Sequence, residues 1–561
     1  MFGSPLLRAP VLATVLSGFL ACGVQALPKI TRTGKYLYDE SGTRFYIKGV
    51  AYQEQGAVVE SADNAFGEPS SFIDPLSVGD ACKRDVSFLK DLGINTIRVY
   101  SVNSSLNHDD CMSTFSQAGI YTLIDLSLPL NGSIDRNQPA WGTNVLDQYT
   151  RTIDVFSKYD NVLGYNIGNE AVVGDHPTTA PFVKAAARDI KSYLSSKKIT
   201  ALIGYAAING AADFRVPLAN FLSCDPSGAN SDSSSIDMYG LNNYEWCGDS
   251  TFAAAYQGTT QAFSNYNVVA YFGEFGCVPP SPPRPWTEVK ELFSSDMAPV
   301  WSGGIAFSYF PASSAAGQFG MVTISSDSKT VTTGQDYDNL KSQYGAVSFI
   351  NSPSQSSVSA SSYPTCPTTI NSVAVSTKLP PTPNEAACNC LESALSCQFT
   401  PKTSNYSTIV GEIIPFGCGL VGQAGGSCDE ISGDGGNGTY GRVSYCDPAI
   451  KASYVMSLYY EATNKNAQSC SFAGNGTVNS KVPTSVPNAA AAASSCVASP
   501  DAVFVPSSAP SSTGKGSSSS GGSSASGKPS AGLSLTEGPH ALVAVGMAAM
   551  VSLLGAAWTL A

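Results

Sequence analysis

Charge is scarce in this 561-residue chain. Only 13% of residues are Asp, Glu, Lys or Arg, and the acids outnumber the bases 43 to 31, for a formal net charge of −12. A chain so poor in cations and so acidic overall is not a nucleic-acid partner. Histidine is scarcer still, with three in all and one of these, His540, in the C-terminal tail region. That leaves little material for a metal site, and none is expected. No Gly-rich nucleotide fingerprint follows the first strand-like run, so no cofactor is expected either.

The long uncharged apolar runs stand at the two ends. Residues 1–26 carry Arg8, the run VLATVLSGFLACGV and a small-residue exit at Val24-Gln25-Ala26, which reads as a secretory signal peptide. Residues 541–561, ALVAVGMAAMVSLLGAAWTLA, follow a polar spacer and the small trio Ser530-Ala531-Gly532. That order is the pattern of a lipid-anchor signal with Ser530 as attachment residue. A tail-anchored membrane helix is the alternative, disfavoured by the N-terminal signal and the absence of basic residues beyond the tail. The expected location is the outer face of the plasma membrane.

What is present agrees with export. Of 15 cysteines, Cys22 leaves with the signal peptide and 14 remain, an even number. Sequons at Asn103, Asn131, Asn405, Asn437 and Asn475 are usable glycosylation sites only in a secreted chain. The composition divides the chain into a signal peptide (1–26), a first domain (27–345), a Ser/Pro/Thr-rich linker (346–385) and a cysteine-rich module (386–485). A Ser/Gly-rich spacer (486–530) and a propeptide removed on anchoring (531–561) complete it. Eight cysteines between Cys388 and Cys496 predict a small disulfide-stapled module, whose pairing 105 connectivities leave open.

In the first domain eight strand-like runs alternate with amphipathic stretches. The runs are RFYIKGVAY, INTIRVY, YTLIDLSLP, VLGYNIGNE, TALIGYAA, IDMYGLNNY, NVVAYFGEFG and GGIAFSYF. Such alternation over roughly 300 residues predicts an α/β fold, a (β/α)8 TIM barrel, with a doubly wound open sheet as the alternative. Two of the runs end on a carboxylate. GYNIGNE places Glu170 beside Asn169 at the fourth strand end, and FGEFG places Glu274 at the seventh.

Strand C-termini are where a barrel of this kind keeps its chemistry. Two facing acids there suit glycoside cleavage, one donating a proton to the leaving oxygen and one attacking the anomeric carbon. Retention of configuration goes with a carboxyl separation of about 5–5.5 Å. Asn169 is expected to hydrogen-bond a sugar hydroxyl. Other strand ends offer Gln53, Tyr100, Asp125, Tyr239, Tyr244 and Tyr309 as candidate sugar contacts. Tyr244 and Tyr309 are expected to hold the nucleophile ionised, and Glu245 competes with Glu274 for that role.

The segments GYNIGNE, NNYEWCG, FGEFGC and GGIAFSYF resemble those of the fungal cell-wall β-1,3-glucanosyltransferases of glycoside hydrolase family 72. The stretches ACNCLESALSC and YGRVSYCD are similar to the glucan-binding module that a subset of that family carries. The resemblance implies Glu170 as acid/base and Glu274 as nucleophile, with Tyr100, Asn169, Arg215 and Tyr309 touching glucan. It also implies the disulfides Cys82–Cys111, Cys224–Cys366 and Cys247–Cys277. Where the family shows an acidic pair before the arginine, AAINGAADFR has Asn209-Gly210, so Asn209 takes that place as a candidate contact. The activity implied is transfer of a cleaved β-1,3-glucan to the non-reducing end of another. A plain retaining β-1,3-glucanase and a non-catalytic glucan-binding wall protein are the alternatives.

Overall fold

The computed structural model describes residues 26–57, 71–129, 132–278, 282–314, 317–403 and 406–507. The expected signal peptide, Ser530 and the apolar tail lie outside these residues, as do Asn131 and Asn405. Of the other sequons, Asn437 is exposed, and Asn103 and Asn475 are half-buried.

All eight apolar runs become parallel strands: β1 (Ile47–Ala51), β2 (Thr96–Val99), β3 (Tyr121–Asp125), β4 (Val162–Asn169), β5 (Leu202–Ile208), β6 (Met238–Asn242), β7 (Val269–Phe275) and β8 (Trp301–Ala306). They close into a barrel, β8 pairing with β1 through Gly303↔Ile47. Strands covered by helices on the outside and by one another within are mostly apolar on both faces, which is why they read as near-continuous runs. The outer layer is α1 (Gly79–Asp91), α2 (Asp109–Gln117), α3 (Thr143–Phe156), α4 (Ala180–Lys197), α5 (Ala212–Ser223), the short α6 (Phe252–Ala255) and α7 (Gln257–Ala262), α8 (Glu288–Leu292) and α9 (Gln335–Gly345). Each helix buries one stripe; α3 buries Val145, Leu146, Tyr149, Ile153 and Phe156. A three-stranded antiparallel sheet before β1 supplies Leu37 to a cluster with Ile47, Leu163, Leu202, Met238 and Val269. That cluster plugs the N-terminal end of the barrel and leaves the C-terminal end for the site.

Residues 346–385, expected as a linker, instead form a strap fastened along the barrel. Arg32 donates to Ser361 Oγ and to Tyr363 Oη, both at 2.7 Å. Cys366 is bonded to Cys224 at the end of α5, and Ile370 is fully buried. The Ser/Pro/Thr composition misleads because, apart from a two-residue ladder of Thr369–Ile370 with Val373–Ala374, the strap bonds to groups of the barrel.

The cysteine-rich module contains α10 (Glu385–Ala394), α11 (Ser407–Gln423), α12 (Pro448–Ala462) and α13 (Ala489–Cys496). Its cysteines pair as Cys388–Cys446, Cys390–Cys496, Cys397–Cys470 and Cys418–Cys428. Because α13 packs Ala489, Ala492 and Ala493 into the module core, the module runs to about Val497, past the expected boundary at 485. It is seated on the barrel. Thr143 N–H donates to the Tyr445 carbonyl at 2.9 Å, and Tyr440 meets Phe182 edge-on at 5.6 Å. At Gly435 a Cβ would stand 2.0 Å from the Thr178 carbonyl oxygen, so only glycine allows this approach.

Replacing both Cys224 and Cys366 by serine frees the strap from α5 and opens a crosslink between residues 142 apart in sequence. The expected loss is about 2–5 kcal/mol of stability. Denaturant unfolding of the purified protein checks it, and an unchanged midpoint would show that hydrogen bonds alone hold the strap.

Candidate active site

Glu274 lies near the end of β7, 8% exposed. Its Oε1 accepts from Tyr100 Oη at 2.8 Å and from Arg98 Nη1 at 3.4 Å, and its Oε2 accepts from Tyr244 Oη at 2.7 Å. Tyr100 follows β2 and Tyr244 follows β6, so three strand ends meet on one carboxylate. Phe307 and Phe319 continue the aromatic ring around it: Phe307 meets Tyr100 at 6.2 Å and Phe319 at 5.1 Å, and Phe319 meets Tyr244 at 6.0 Å.

Arg98, in the middle of β2, was not singled out from the sequence, although it is the centre of the site. It is fully buried, and every N–H of its guanidinium has an acceptor. Nε and Nη2 grip Asp125 at 3.2 and 2.6 Å. Nη2 also reaches Asn169 Oδ1 at 2.9 Å, and Nη1 reaches the Gly273 carbonyl at 3.0 Å besides Glu274. The signal was in INTIRVY: a charge inside an apolar strand requires a buried counter-charge.

The arginine fixes the orientation of two amides. Because Arg98 only donates, the Asn169 atom facing it is the oxygen. Asn242 Nδ2 then donates to that same oxygen at 3.1 Å and to Glu170 Oε1 at 2.7 Å. Asn242 stands opposite Glu274 in the β6–β7 register and was also missed. Glu170 itself takes a left-handed backbone, φ 52°. Its N–H donates to the Ala206 carbonyl at 2.8 Å, and its own carbonyl accepts from Arg136 Nε at 2.8 Å.

Five of the sequence candidates are placed differently from expectation. Tyr239 is fully buried, its ring against Phe263 and Tyr266. Tyr309 is fully buried, with its ring against Tyr52 and Phe310, and its hydroxyl lies toward Asp85 outside good hydrogen-bond geometry. The chain after β8 turns back there, Tyr309 N–H bonding the Ala51 carbonyl, so Tyr100 takes the part expected of Tyr309. Asp125 is 1% exposed and serves Arg98 and Asn166 rather than sugar. Gln53 spends its whole amide on main chain: Oε1 accepts from Tyr100 N and Ser101 N, and Nε2 donates to the Ile73 and Glu54 carbonyls. Glu245 binds Arg215 at 3.1 Å and Asn243 and Thr259 at 3.0 Å, which removes it from competition with Glu274. Arg215 in turn donates to Asn209 Oδ1 at 2.6 Å, so Asn209, Arg215 and Glu245 form one cluster at the ends of β5 and β6.

Electrostatics divide the two carboxyls. Burial first, and the Glu274 charge second, push Glu170 up to about 7, against smaller opposing effects of Asn242, Arg136 and Arg98. Burial also raises Glu274, but Arg98, Tyr244 and Tyr100 all favour its ionised form. The expected downward shift of Glu274 is therefore corrected: the donors limit a rise. Among the described residues no His, Cys, Asp or Glu cluster is arranged to hold a metal ion.

Replacing Arg98 by Gln strands Asp125 as a buried unpaired charge, at an expected cost of roughly 3–5 kcal/mol. The double variant Arg98→Leu/Asp125→Leu should regain much of that stability in chemical unfolding while staying inactive. If activity returned with stability, Arg98 would be a folding residue alone.

Residues 21–348 match the family profile of glycoside hydrolase family 72, described as glucanosyltransferase, and residues 395–477 match the X8 domain. The chain is 38% identical over 479 residues to the 1,3-beta-glucanosyltransferase gas1 of Schizosaccharomyces pombe, covering 84% of this chain and 82% of that one. It is 36% identical to pH-responsive protein 1 of Candida albicans, with 84% of each covered. Among solved structures, Saccharomyces cerevisiae Gas2p in complex with laminaripentaose superimposes with a TM-score of 0.70 at 34% identity, covering 81% of this chain and 98% of that one. With barrel, paired acids and profile in agreement over most of its length, this chain belongs to glycoside hydrolase family 72.

Proposed function

We propose that the protein is a β-1,3-glucanosyltransferase that cleaves β-1,3-glucan internally and passes the new reducing end to the non-reducing end of a second glucan. One observation carries the reading: at the barrel mouth a carboxyl pushed up to about 7 faces a carboxylate that takes one guanidinium and two phenols. The complex of Gas2p with laminaripentaose supports glucan as the ligand class.

In the first step Glu274 attacks the anomeric carbon, the C1–O bond breaks, and Glu170 gives its proton to the departing oxygen. Asn242 donates to Glu170 Oε1, so the acidic proton resides on Oε2, the oxygen left to face the leaving group. In the second step ionised Glu170 takes the proton of an acceptor hydroxyl, whose oxygen displaces Glu274 from C1. Configuration is retained over the two inversions. Asn169 turns its Nδ2 away from Arg98 and toward the cleft, where it suits a sugar hydroxyl beside the reacting carbon. The aromatic ring of Tyr100, Tyr244, Phe307 and Phe319 favours an acceptor sugar over water by positioning and partial desolvation. The signal-like residues 1–26 and the small trio at Ser530 support a secreted, lipid-anchored protein acting at the plasma membrane and wall. The module serves as a glucan-holding part of the same chain.

Incubation with a reduced β-1,3-gluco-oligosaccharide should yield products longer than the substrate, and exclusively shorter ones would make the protein a glucanase. Glu170→Gln should lower turnover on the order of 10²–10⁴-fold. Full turnover in Glu170→Gln or Glu274→Gln would remove the assignment.

The rate should follow a bell in pH, its alkaline limb near 7 where Glu170 loses its proton. Glu274→Gln removes the neighbouring anion, so Glu170 should titrate lower in that variant, read by carboxyl NMR. Tyr100→Phe and Tyr244→Phe each remove a donor to Glu274 and should move the acid limb upward, whereas Tyr309→Phe should leave it in place.

A further inference from the structure

Arg136 lies in the connection between β3 and α3 and has no part in the steps above. It nevertheless touches both ends of the acid-bearing loop, residues 170–179 between β4 and α4, one with its side chain and one with its main-chain carbonyl. Nε donates to the Glu170 carbonyl at 2.8 Å. The Arg136 carbonyl accepts from Oγ1 of the fully buried Thr179 at 3.1 Å. Between these points Tyr205 Oη accepts from Val172 N–H and Asn371 Nδ2 donates to the Gly174 carbonyl, both at 2.9 Å.

The contact matters because Glu170 has φ 52°, a conformation that costs a residue with a Cβ roughly 1–2 kcal/mol. Two bonds hold it there. The one from its N–H to the Ala206 carbonyl fixes the peptide before it, and the one from Arg136 fixes the peptide after it. Without the second, the 170–171 peptide is free to turn and the carboxyl to re-aim. Groups facing the acid are Glu274 from β7, Arg98 from β2, Asn242 from β6, Tyr244 from the loop after β6, Tyr205 from β5 and Arg136.

We propose that Arg136 is a positioning residue for the general acid: its bond to the Glu170 carbonyl locks the left-handed turn from which the proton is delivered, and its charge stands beside the carboxyl. This rests on Glu170 being the acid, which Glu170→Gln tests by itself; full activity there fails that reading whatever Arg136 variants do. The guanidinium charge opposes the upward shift of Glu170, so its loss makes the proton harder to remove.

The test measures kcat and KM from pH 4 to 8 on a reduced β-1,3-gluco-oligosaccharide, using the full enzyme and its Arg136→Gln and Arg136→Lys variants. Arg136→Gln should lower kcat about ten- to a hundredfold, with a much smaller change in KM. Its alkaline limb should move up by about half a pH unit or more. Arg136→Lys keeps the charge but not the Nε geometry, so its limb should stay while kcat still falls. Normal kcat in Arg136→Gln overturns the proposal, and so does a lowered kcat with an unmoved limb, which would mark a purely structural residue. Should Arg136→Gln fail to fold, Arg136→Lys decides: unchanged kcat there overturns the proposal.

Discussion

The catalytic end of the barrel depends on one buried guanidinium. Arg98 sits where water cannot solvate it, and its charge survives because Asp125 grips it and every remaining N–H has an acceptor. Burial works against that charge, yet Asp125, Tyr100 and Glu274 hold the group well above its already high range. A permanent cation at this point does more than balance charge. It dictates which end of Asn169 faces inward, and through Asn169 which end of Asn242 does so. Through Asn242 it decides which oxygen of Glu170 is left to carry a proton. Orientation passes across three strands without a moving part.

Two carboxyls so close to one another need unlike surroundings if one is to be acid and the other base. The difference lies in the donors. Glu170 has a neutral amide on one oxygen; Glu274 has two phenols and the guanidinium. The donors favour the ionised form of Glu274, so a proton shared by the pair is directed to Glu170, as the proposed roles require. Tyr100 serves twice, bonding the carboxylate by its hydroxyl and lying with its ring under the Arg98 guanidinium at 4.2 Å.

The strands were legible because a closed parallel barrel buries them on all sides, so each is written as an unbroken apolar run. Glu170 and Glu274 were legible because an acid at the end of such a run has few uses. Arg98 and Asn242 were not, since their partners are set by which strands lie opposite across the barrel. Asp125 is 27 residues from Arg98 in sequence and Glu274 is 176 residues away. Asp125 itself was noticed, but as a sugar contact, because its partner had been overlooked. Tyr309 was misread for a local reason: sequence does not say where the chain turns after β8, and here it turns away from the mouth. The strap over residues 346–385 escaped notice because its hydrogen bonds are made to another part of the chain.

The bond between Cys390 and Cys496 has a mechanical side. Past α13, whose last residue is Cys496, the chain touches Lys378 through Asp501 and Thr382 through Ala502 and Phe504 before the C-terminal spacer, and Cys390 lies in α10 at the opposite end of the module's sequence. A pull on the spacer would otherwise peel α13 from the module, separating its small alanine contacts one after another. With the crosslink in place, tension bypasses that helix and enters α10 covalently. From there it is spread over the paired α12 segment through Cys388–Cys446, as shear across a packed core rather than as unzipping from an end.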